Sequence, residues 1–338
     1  MNITTLGIDL AKNVFQLHGT DGRGQVVLRR TLRRNKLVEF MVNLSPCKIV
    51  MEACGGANFW ARKFVECGHE VNLISPQFAK PFVQRNKNDY RDAEAIVEAA
   101  SRPNMRYVSP KTVEQQDMQS LLRIREGSLK MRTQMSNQLR GLLAEYGIVM
   151  SCGLSHIRKA LPALFDKGQS NGLTDKMKAL LERQYALMVA LEQQIKEYDK
   201  EIEVIAKTRE DCQRIQAVPG IGPITAVALS AMIGNPRDFK NGRHFAAYLG
   251  LVPKQHSSGG RERLLGISKR GDSYLRQLLI HGARSVLQRI DKKLDARSVW
   301  LKGLKLRAGM NRTSVALANK NARVVMALLL KEESYRAS

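Results

Sequence analysis

Four acids and a pair of serines carry the chemistry open to this chain of 338 residues. Asp9 lies in Leu6-Gly-Ile-Asp-Leu10 and Glu52 follows Ile49-Val-Met51. Runs this apolar read as buried strands, where a lone carboxylate is costly to hold. Asp89 and Asp92 stand three apart in Asn88-Asp-Tyr-Arg-Asp-Ala-Glu-Ala-Ile-Val-Glu98, a helix-like segment, and so share one face. Converging carboxylates repel one another, and the usual remedy is a pair of hard divalent cations held through oxygen, Mg²⁺ or Mn²⁺. Two such ions about 4 Å apart hold both the attacking and the leaving oxygen of a phosphoryl transfer. Asp9, Glu52, Asp89 and Asp92 are therefore the predicted metal ligands, while Glu94 and Glu98 read as solvated helix acids. A plainer reading stays open at this point, with Asp89 and Asp92 favouring a helix N-terminus and Glu52 a paired core acid.

The serines, Ser257 and Ser258, sit in Leu251-Val-Pro-Lys-Gln-His-Ser-Ser-Gly-Gly260, a predicted polar loop, with Arg261, Arg263, Lys269 and Arg270 behind them. A serine hydroxyl is a weak nucleophile and needs a base, a metal or nearby charge. The cations suit a phosphate, which they bind through charge-assisted hydrogen bonds. His256 reads as incidental to the loop. Upstream, Arg214 to Leu229 reads as helix, tight turn, helix, and Pro219-Gly-Ile-Gly-Pro223 resembles the turn of a helix-hairpin-helix. Gly220 and Gly222 there permit a close backbone approach to phosphate, although a plain helical hairpin has the same pattern. Arg276 falls on a basic helix after the loop, Tyr274 to His281.

The elements that must position these groups fall into three segments. In residues 1–110, strands are predicted at Ile3 to Leu10, Asn13 to Gly19, Gln25 to Leu32, Lys48 to Cys54 and Glu70 to Ser75, with helices over Lys36 to Leu44 and around Phe59, Trp60, Phe64 and Val65. Strand-strand-strand-helix-strand-helix-strand is the order of a ribonuclease-H-like α/β fold. Residues 111–208 form a helical linker. It comprises a long helix over Thr112 to Tyr146, a helix-turn or loop over Ser151 to Gly172, and a second long helix over Leu173 to Thr208. In the second helix Met177, Leu181, Gln184, Met188, Leu191, Ile195, Tyr198, Ile202 and Ile205 alternate spacings of four and three, a coiled-coil seam. Its partner is either this chain or another subunit, and oligomerisation is expected. Residues 209–338 form a mainly α, basic C-terminal domain, ending in helices over Ala296 to Leu306 and Thr313 to Lys331 with Trp300 in the core.

With 55 Lys and Arg against 31 Asp and Glu, the net charge of +24 exceeds what solubility asks for and points to a polyanion, above all nucleic acid. Residues 251–338 alone carry 19 basic and 6 acidic side chains, so this last part of the chain is the expected main contact to phosphate backbones. Five cysteines without paired or zinc-finger spacing read as reduced thiols. No secretion signal or membrane-spanning run is apparent, and a cytoplasmic protein is expected.

Taken in order, Asp9, Glu52, Asp89-x-x-Asp92, Pro219-Gly-Ile-Gly-Pro223, Gly250-Leu-Val-Pro253, Ser258-Gly259 and Ile267-Ser-Lys-Arg-Gly271 resemble the DEDD transposases of bacterial insertion sequences. Within these the pattern is similar to the IS-one-ten family, in its IS-eleven-eleven branch, to which pilin-gene invertases are related. The resemblance implies a RuvC-like domain, a coiled-coil linker and a second domain with a serine nucleophile. It implies further a structured non-coding RNA, a bridge that pairs with donor and target DNA, and dimers that join in a tetrameric synapse where one subunit's acids meet another's serine. By motif position the residues carried over are Asp9, Glu52, Asp89, Asp92 and Ser258, with Ser257 second. The expected activity is that of a metal-dependent, RNA-guided DNA transposase or recombinase acting at the nucleoid. The residues leave two other readings open, a RuvC-like nuclease hydrolysing branched DNA and a non-catalytic architectural protein that binds nucleic acid.

Overall fold

The computed structural model describes residues 2–82, 89–165, 172–257 and 260–336, the side chains of Asp89 and Tyr90 excepted. Strands β1 (Thr5–Leu10), β2 (Val14–Thr20) and β3 (Val26–Arg33) form an antiparallel meander. After α1 (Arg34–Val42), β4 (Lys48–Glu52) lies parallel to β1. After α2 (Ala57–Glu66), β5 (Glu70–Ile74) lies parallel to β4. The short helix α3 (Pro76–Ala79) and α4 (Asp89–Ala100) come next. A two-residue strand too short to leave a sequence signal, β6 (Tyr107–Val108), then closes the sheet in the order β3-β2-β1-β4-β5-β6. The N-terminal part is thus mixed α/β, and the C-terminal part is mainly helical.

Alternation along the strands divides the sheet residues between two faces. Leu6, Ile8, Ile49 and Met51 enter the larger core with Phe15, Leu37, Met41, Trp60 and Phe64, under α1 and α2. Trp60 stacks on Phe64 at 5.7 Å and meets Phe15 edge-on at 5.1 Å. Gly7, Asp9, Val50 and Glu52 take the opposite face, where Ile96 and Ala99 of α4 pack with Val50 and Ile74. A Cβ on Gly7 would stand 2.6 Å from the Ala93 carbonyl oxygen and 2.6 Å from Val97 of α4. The missing side chain is what lets this helix lie directly on the strand that carries Asp9.

The chain forms two compact units, each gathered from separated stretches: Met1–Gln116, Ser230–Ser273 and Asn319–Glu332 in one, Asp117–Leu229, Tyr274–Ala318 and Glu333–Ser338 in the other. The first unit thus joins the sheet to the region of the serine loop. Ser109 donates from its amide (2.9 Å) and its hydroxyl (2.8 Å) to Asp238, Gln115 donates to the Gly234 carbonyl at 3.2 Å, and Asn319 donates to the Leu251 carbonyl at 3.1 Å. The expected polar loop is corrected to a hairpin whose strands, Pro253–Gln255 and Leu264–Ile267, pair antiparallel. Both are short and exposed, so they lack the apolar alternation that marks a strand. Two glycines fix its base. A Cβ on Gly250 (φ 70°) would stand 2.3 Å from the Arg270 carbonyl oxygen, and one on Gly271 (φ 72°) 1.9 Å from that of Tyr248.

In the second unit lie most of α5 (Val113–Ala144), α6 (Leu154–Leu164) and α7 (Asp175–Thr208). The first half of the α7 seam packs within the chain: Met177, Leu181 and Met188 meet Leu139 and Leu143 of α5 and Ile157 and Leu161 of α6. Arg158 grips buried Glu192 with both ends of its guanidinium, at 2.9 and 2.7 Å. Thr174 caps α7 by accepting from the Met177 amide at 3.2 Å. Next come α8 (Glu210–Gln216) and α9 (Pro223–Ile233), and, beyond α10 (Gly242–Tyr248) and the hairpin strands β7 and β8, α11 (Ser273–Leu287) and α12 (Ala296–Lys331). Gly309 (φ 76°, ψ 169°) breaks α12 into the two expected helices. Trp300, expected in the core, is 37% exposed, because the face of α12 that is buried there carries Leu301 instead.

Overpacking at the two glycine contacts sets a stability test. Gly282 of α11 faces Gly220, whose carbonyl oxygen would be 1.8 Å from an added Cβ. Gly7→Ala and Gly282→Ala are each expected to lose about 1–3 kcal/mol in denaturant titration. Gly127→Ala, in α5 with nothing within 4 Å of the added carbon, is expected to gain about 0.5–1 kcal/mol.

Candidate active site

Asp9 and Glu52 reach one edge of the sheet because their strands are parallel neighbours. The β1–β4 ladder pairs Ile8 with Met51, and the next residue on each strand is an acid. Both acids are partly buried at the carboxyl ends of their strands, the edge at which open α/β sheets bind ligands. Asp92 approaches from α4, three residues after Asp89 opens that helix. The carboxyl of Glu52 is held above its usual range by burial and then by the negative charge of Asp92, with Lys80 opposing. The Cys54 thiol is raised by burial and by the charges of Glu52 and Asp9. Three of the four predicted acids therefore bear on one small region, and the side chain of the fourth, Asp89, lies outside the described residues.

Among the described residues no three His, Cys, Asp or Glu groups stand close enough to hold an ion. What is described is a set of oxygen donors in which partly buried Glu52 feels the like charge of Asp92, a chemistry that suits a hard divalent cation. Glu94, expected in solvent, pairs with Arg29 at 3.6 Å, and Glu98 with Arg102 at 2.6 Å, both on the helix surface.

In the serine hairpin, Ser257 is exposed, and its hydroxyl accepts from the Arg263 amide at 3.4 Å. Ser258 and Gly259 lie outside the described residues. Arg261, Arg263, Lys269 and Arg270 are all exposed around this loop, and Lys269 takes a left-handed φ of 54°. Arg276 is half-buried on α11 in the second unit. At the other predicted phosphate contact, the close approach that Gly220 (φ 92°) permits is occupied by the backbone of Gly282. Gly222 has open space above its Cα. Asp199 and Glu203 line the cavity beside this turn, together with Arg125, which is paired to Asp199.

Comparison with known sequences decides the family. Residues 6–148 match the DEDD transposase family of the IS110 type, and residues 212–298 match the transposase IS116/IS110/IS902 family. The transposase for insertion sequence element IS1111A of Coxiella burnetii is 49% identical over 99% of this chain and 92% of its own length. The chain belongs to the IS110 family of transposases. A probable family 20 transposase of Pseudomonas aeruginosa is 48% identical over 99% of both chains. A pilin gene-inverting protein of Moraxella lacunata is 23% identical over 77% of this chain and 75% of its own. The transposase is accordingly an enzyme that processes DNA by strand transfer. No helix among its described residues is long and apolar enough to cross a membrane.

Sequence reasoning passed over Lys80 and Gly7. Lys80 leaves no periodic signal, sitting singly before Pro81. Gly7 had one, since it lies two residues before Asp9 and therefore on the same face of the strand.

The raised Glu52 carboxyl yields a signed pH dependence. Its folded form binds the proton more tightly than the unfolded chain, so stability falls as pH rises from the ordinary glutamate range through the raised value. Glu52→Gln removes that penalty. In chelator-treated protein near neutral pH the variant is expected to melt higher than the wild type, with the difference vanishing below the ordinary glutamate range. Added Mg²⁺ is expected to raise the melting temperature of the wild type alone.

Proposed function

We propose that this transposase cuts and rejoins donor and target DNA with two half-sites, the acids Asp9, Glu52, Asp89 and Asp92 on a RuvC-like, ribonuclease-H-like sheet and the nucleophile Ser258 in the basic hairpin. The observation that carries the proposal is the gathering of acids at the carboxyl ends of β1 and β4, where Glu52 is raised by burial and then by Asp92, and Cys54 by burial and then by Glu52 and Asp9. A carboxylate set that repels itself has its purpose in a cation. Mg²⁺ or Mn²⁺, as two ions, would be held by these four acids and would supply charge stabilisation at the transferring phosphoryl group.

The chain's own residues account for the rest. The Ser258 oxygen attacks a DNA phosphorus, its proton passing to a base at the acidic site. A phosphoserine ester forms to the new 5′ end while the bond to the 3′ oxygen opens, and that oxygen leaves protonated as a free 3′-hydroxyl. Reversal with a different 3′-hydroxyl rejoins the strands without loss of the ester's energy. Arg261, Arg263, Lys269 and Arg270 hold the phosphate, with Arg276 and the Gly220–Gly222 turn on the flanking backbone. In the same reading residues 1–110 hold the metal, 111–208 link and oligomerise, and 209–338 carry the serine. A bridge RNA selects both DNAs, dimers pair into a tetramer at the nucleoid, and the acids of one subunit work with the serine of another. The net charge of +24 supports nucleic-acid partners of both kinds.

Strand exchange by Asp9→Asn and by Ser258→Ala is expected to drop by about 10³-fold or more. A denaturant-resistant protein–DNA adduct is expected in the wild type and absent from Ser258→Ala. Full activity of the serine variant would leave hydrolysis of branched DNA by a metal-dependent nuclease. Uncut DNA in Mg²⁺ with binding intact in the wild type would leave an architectural protein. Mixing the two variants is expected to restore exchange if acids and serine come from different subunits. Copurifying nucleic acid is expected to be ribonuclease-sensitive and of one defined sequence, and a random mixture would remove the guide from the proposal.

A further inference from the structure

The first unit contains a cavity of about 520 Å³ between the end of β5 with α3 on one side and α10 with the hairpin on the other. Aromatic rings line both of its sides. Phe78 and Tyr107 come from the sheet side, and Phe239, His244 and Tyr248 from the hairpin side. Phe239 is locked edge-on by His244 at 5.8 Å, Phe245 at 5.0 Å and Tyr248 at 5.3 Å, which leaves its orientation fixed. Exposed Arg106, Lys254 and Arg270 supply positive charge around the cavity, while Asp238, its carboxylate, is already hydrogen-bonded to Ser109. The buried Ser268 hydroxyl on the same wall has no hydrogen-bond partner among the described residues.

We propose that this cavity receives one unstacked nucleotide of a strand that passes the serine hairpin, its base among the aromatic rings and its phosphate at the cations. Fixed ring faces stack on any base and need no particular sequence. A volume of this size is that of a single small-ligand site rather than a groove for a duplex. An apolar occupant would leave the buried Ser268 hydroxyl unpaired, whereas a base edge brings donors and acceptors and a phosphate suits the basic rim. Burial and the charge of Arg106 lower the basicity of His244, which favours a neutral ring for stacking. Gln255 and His256 line the cavity immediately before Ser257, so an occupied cavity fixes the register of the strand at the loop. The proposal rests on nucleic acid reaching the hairpin, and it is independent of Ser258 acting as a nucleophile.

Short single-stranded DNA and RNA, each carrying one 5-iodouracil, test it by photocrosslinking to the full chain and mapping the adducts by mass spectrometry. Adducts are expected on Tyr107, Phe239 or Tyr248. They are expected to fall at least about tenfold in Ala247→Trp, which fills the cavity, and to fall in Arg106→Gln, an exposed change that spares the fold. Affinity for the strand is expected to weaken about 5- to 150-fold in Ala247→Trp, the stacking worth of one base. Ser258→Ala is expected to leave both readouts unchanged, which separates this proposal from the nucleophile. Adducts in the DNA arm alone assign the cavity to a substrate strand, and adducts in the RNA arm alone assign it to a guide. Adducts confined to residues outside the cavity, or unaltered by both Arg106→Gln and a folded Ala247→Trp, would overturn it.

Discussion

The approach of α4 to the sheet over Gly7 is the contact on which the acidic site depends. Asp9 and Glu52 are placed by strand pairing, which fixes them to each other but says nothing of a third carboxylate. Asp92 joins them only because a helix lies on that face at a distance that no Cβ on Gly7 would allow. The same closeness buries Glu52 and brings it a like charge, so the geometry that assembles the acids also makes the assembled state uncomfortable. In the proposed reading a bound cation would offset that like charge.

A similar economy recurs elsewhere in the molecule. Gly250 and Gly271 let the base of the hairpin meet the end of α10 backbone to backbone, and Gly220 and Gly282 do the same for the turn before α9 and the helix α11. The glycines of the motifs that mark the family are thus largely packing devices. Each replaces a layer of side chains with direct contact between main chains, which fixes a loop more tightly than flexible side chains do. The basic residues, by contrast, stay at the surface around the hairpin, where phosphates have access to them.

Much of this was legible in the sequence, for identifiable reasons. Apolar strands interrupted by an acid are rare enough on physical grounds that Asp9 and Glu52 stood out, and the three-four spacing of α7 named Met177, Leu181, Met188, Ile195 and Ile202, which are buried, but not buried Glu192 and Ala206. The strands of the serine hairpin were missed because Pro253–Gln255 and Leu264–Ile267 are exposed and carry no alternation. Trp300 was misplaced because a large apolar residue says nothing of which face of its helix turns inward. The aromatic cavity was invisible for a different reason. Its walls come from residues more than a hundred positions apart, and no local pattern in Phe78, Tyr107, Phe239 or Tyr248 announces that they meet.

The discontinuity of the first unit bears on the order in which the protein becomes competent. Chains leave the ribosome N-terminus first and domains fold as they emerge. The strands that carry Asp9 and Glu52 are therefore synthesised well before the hairpin, and the stretch that clasps the hairpin, from Asn319 onward, is among the last to follow. A nascent transposase carries its acidic edge long before it has a fixed serine loop to set against it. Translation itself thus keeps the two proposed half-sites apart until the chain is all but finished.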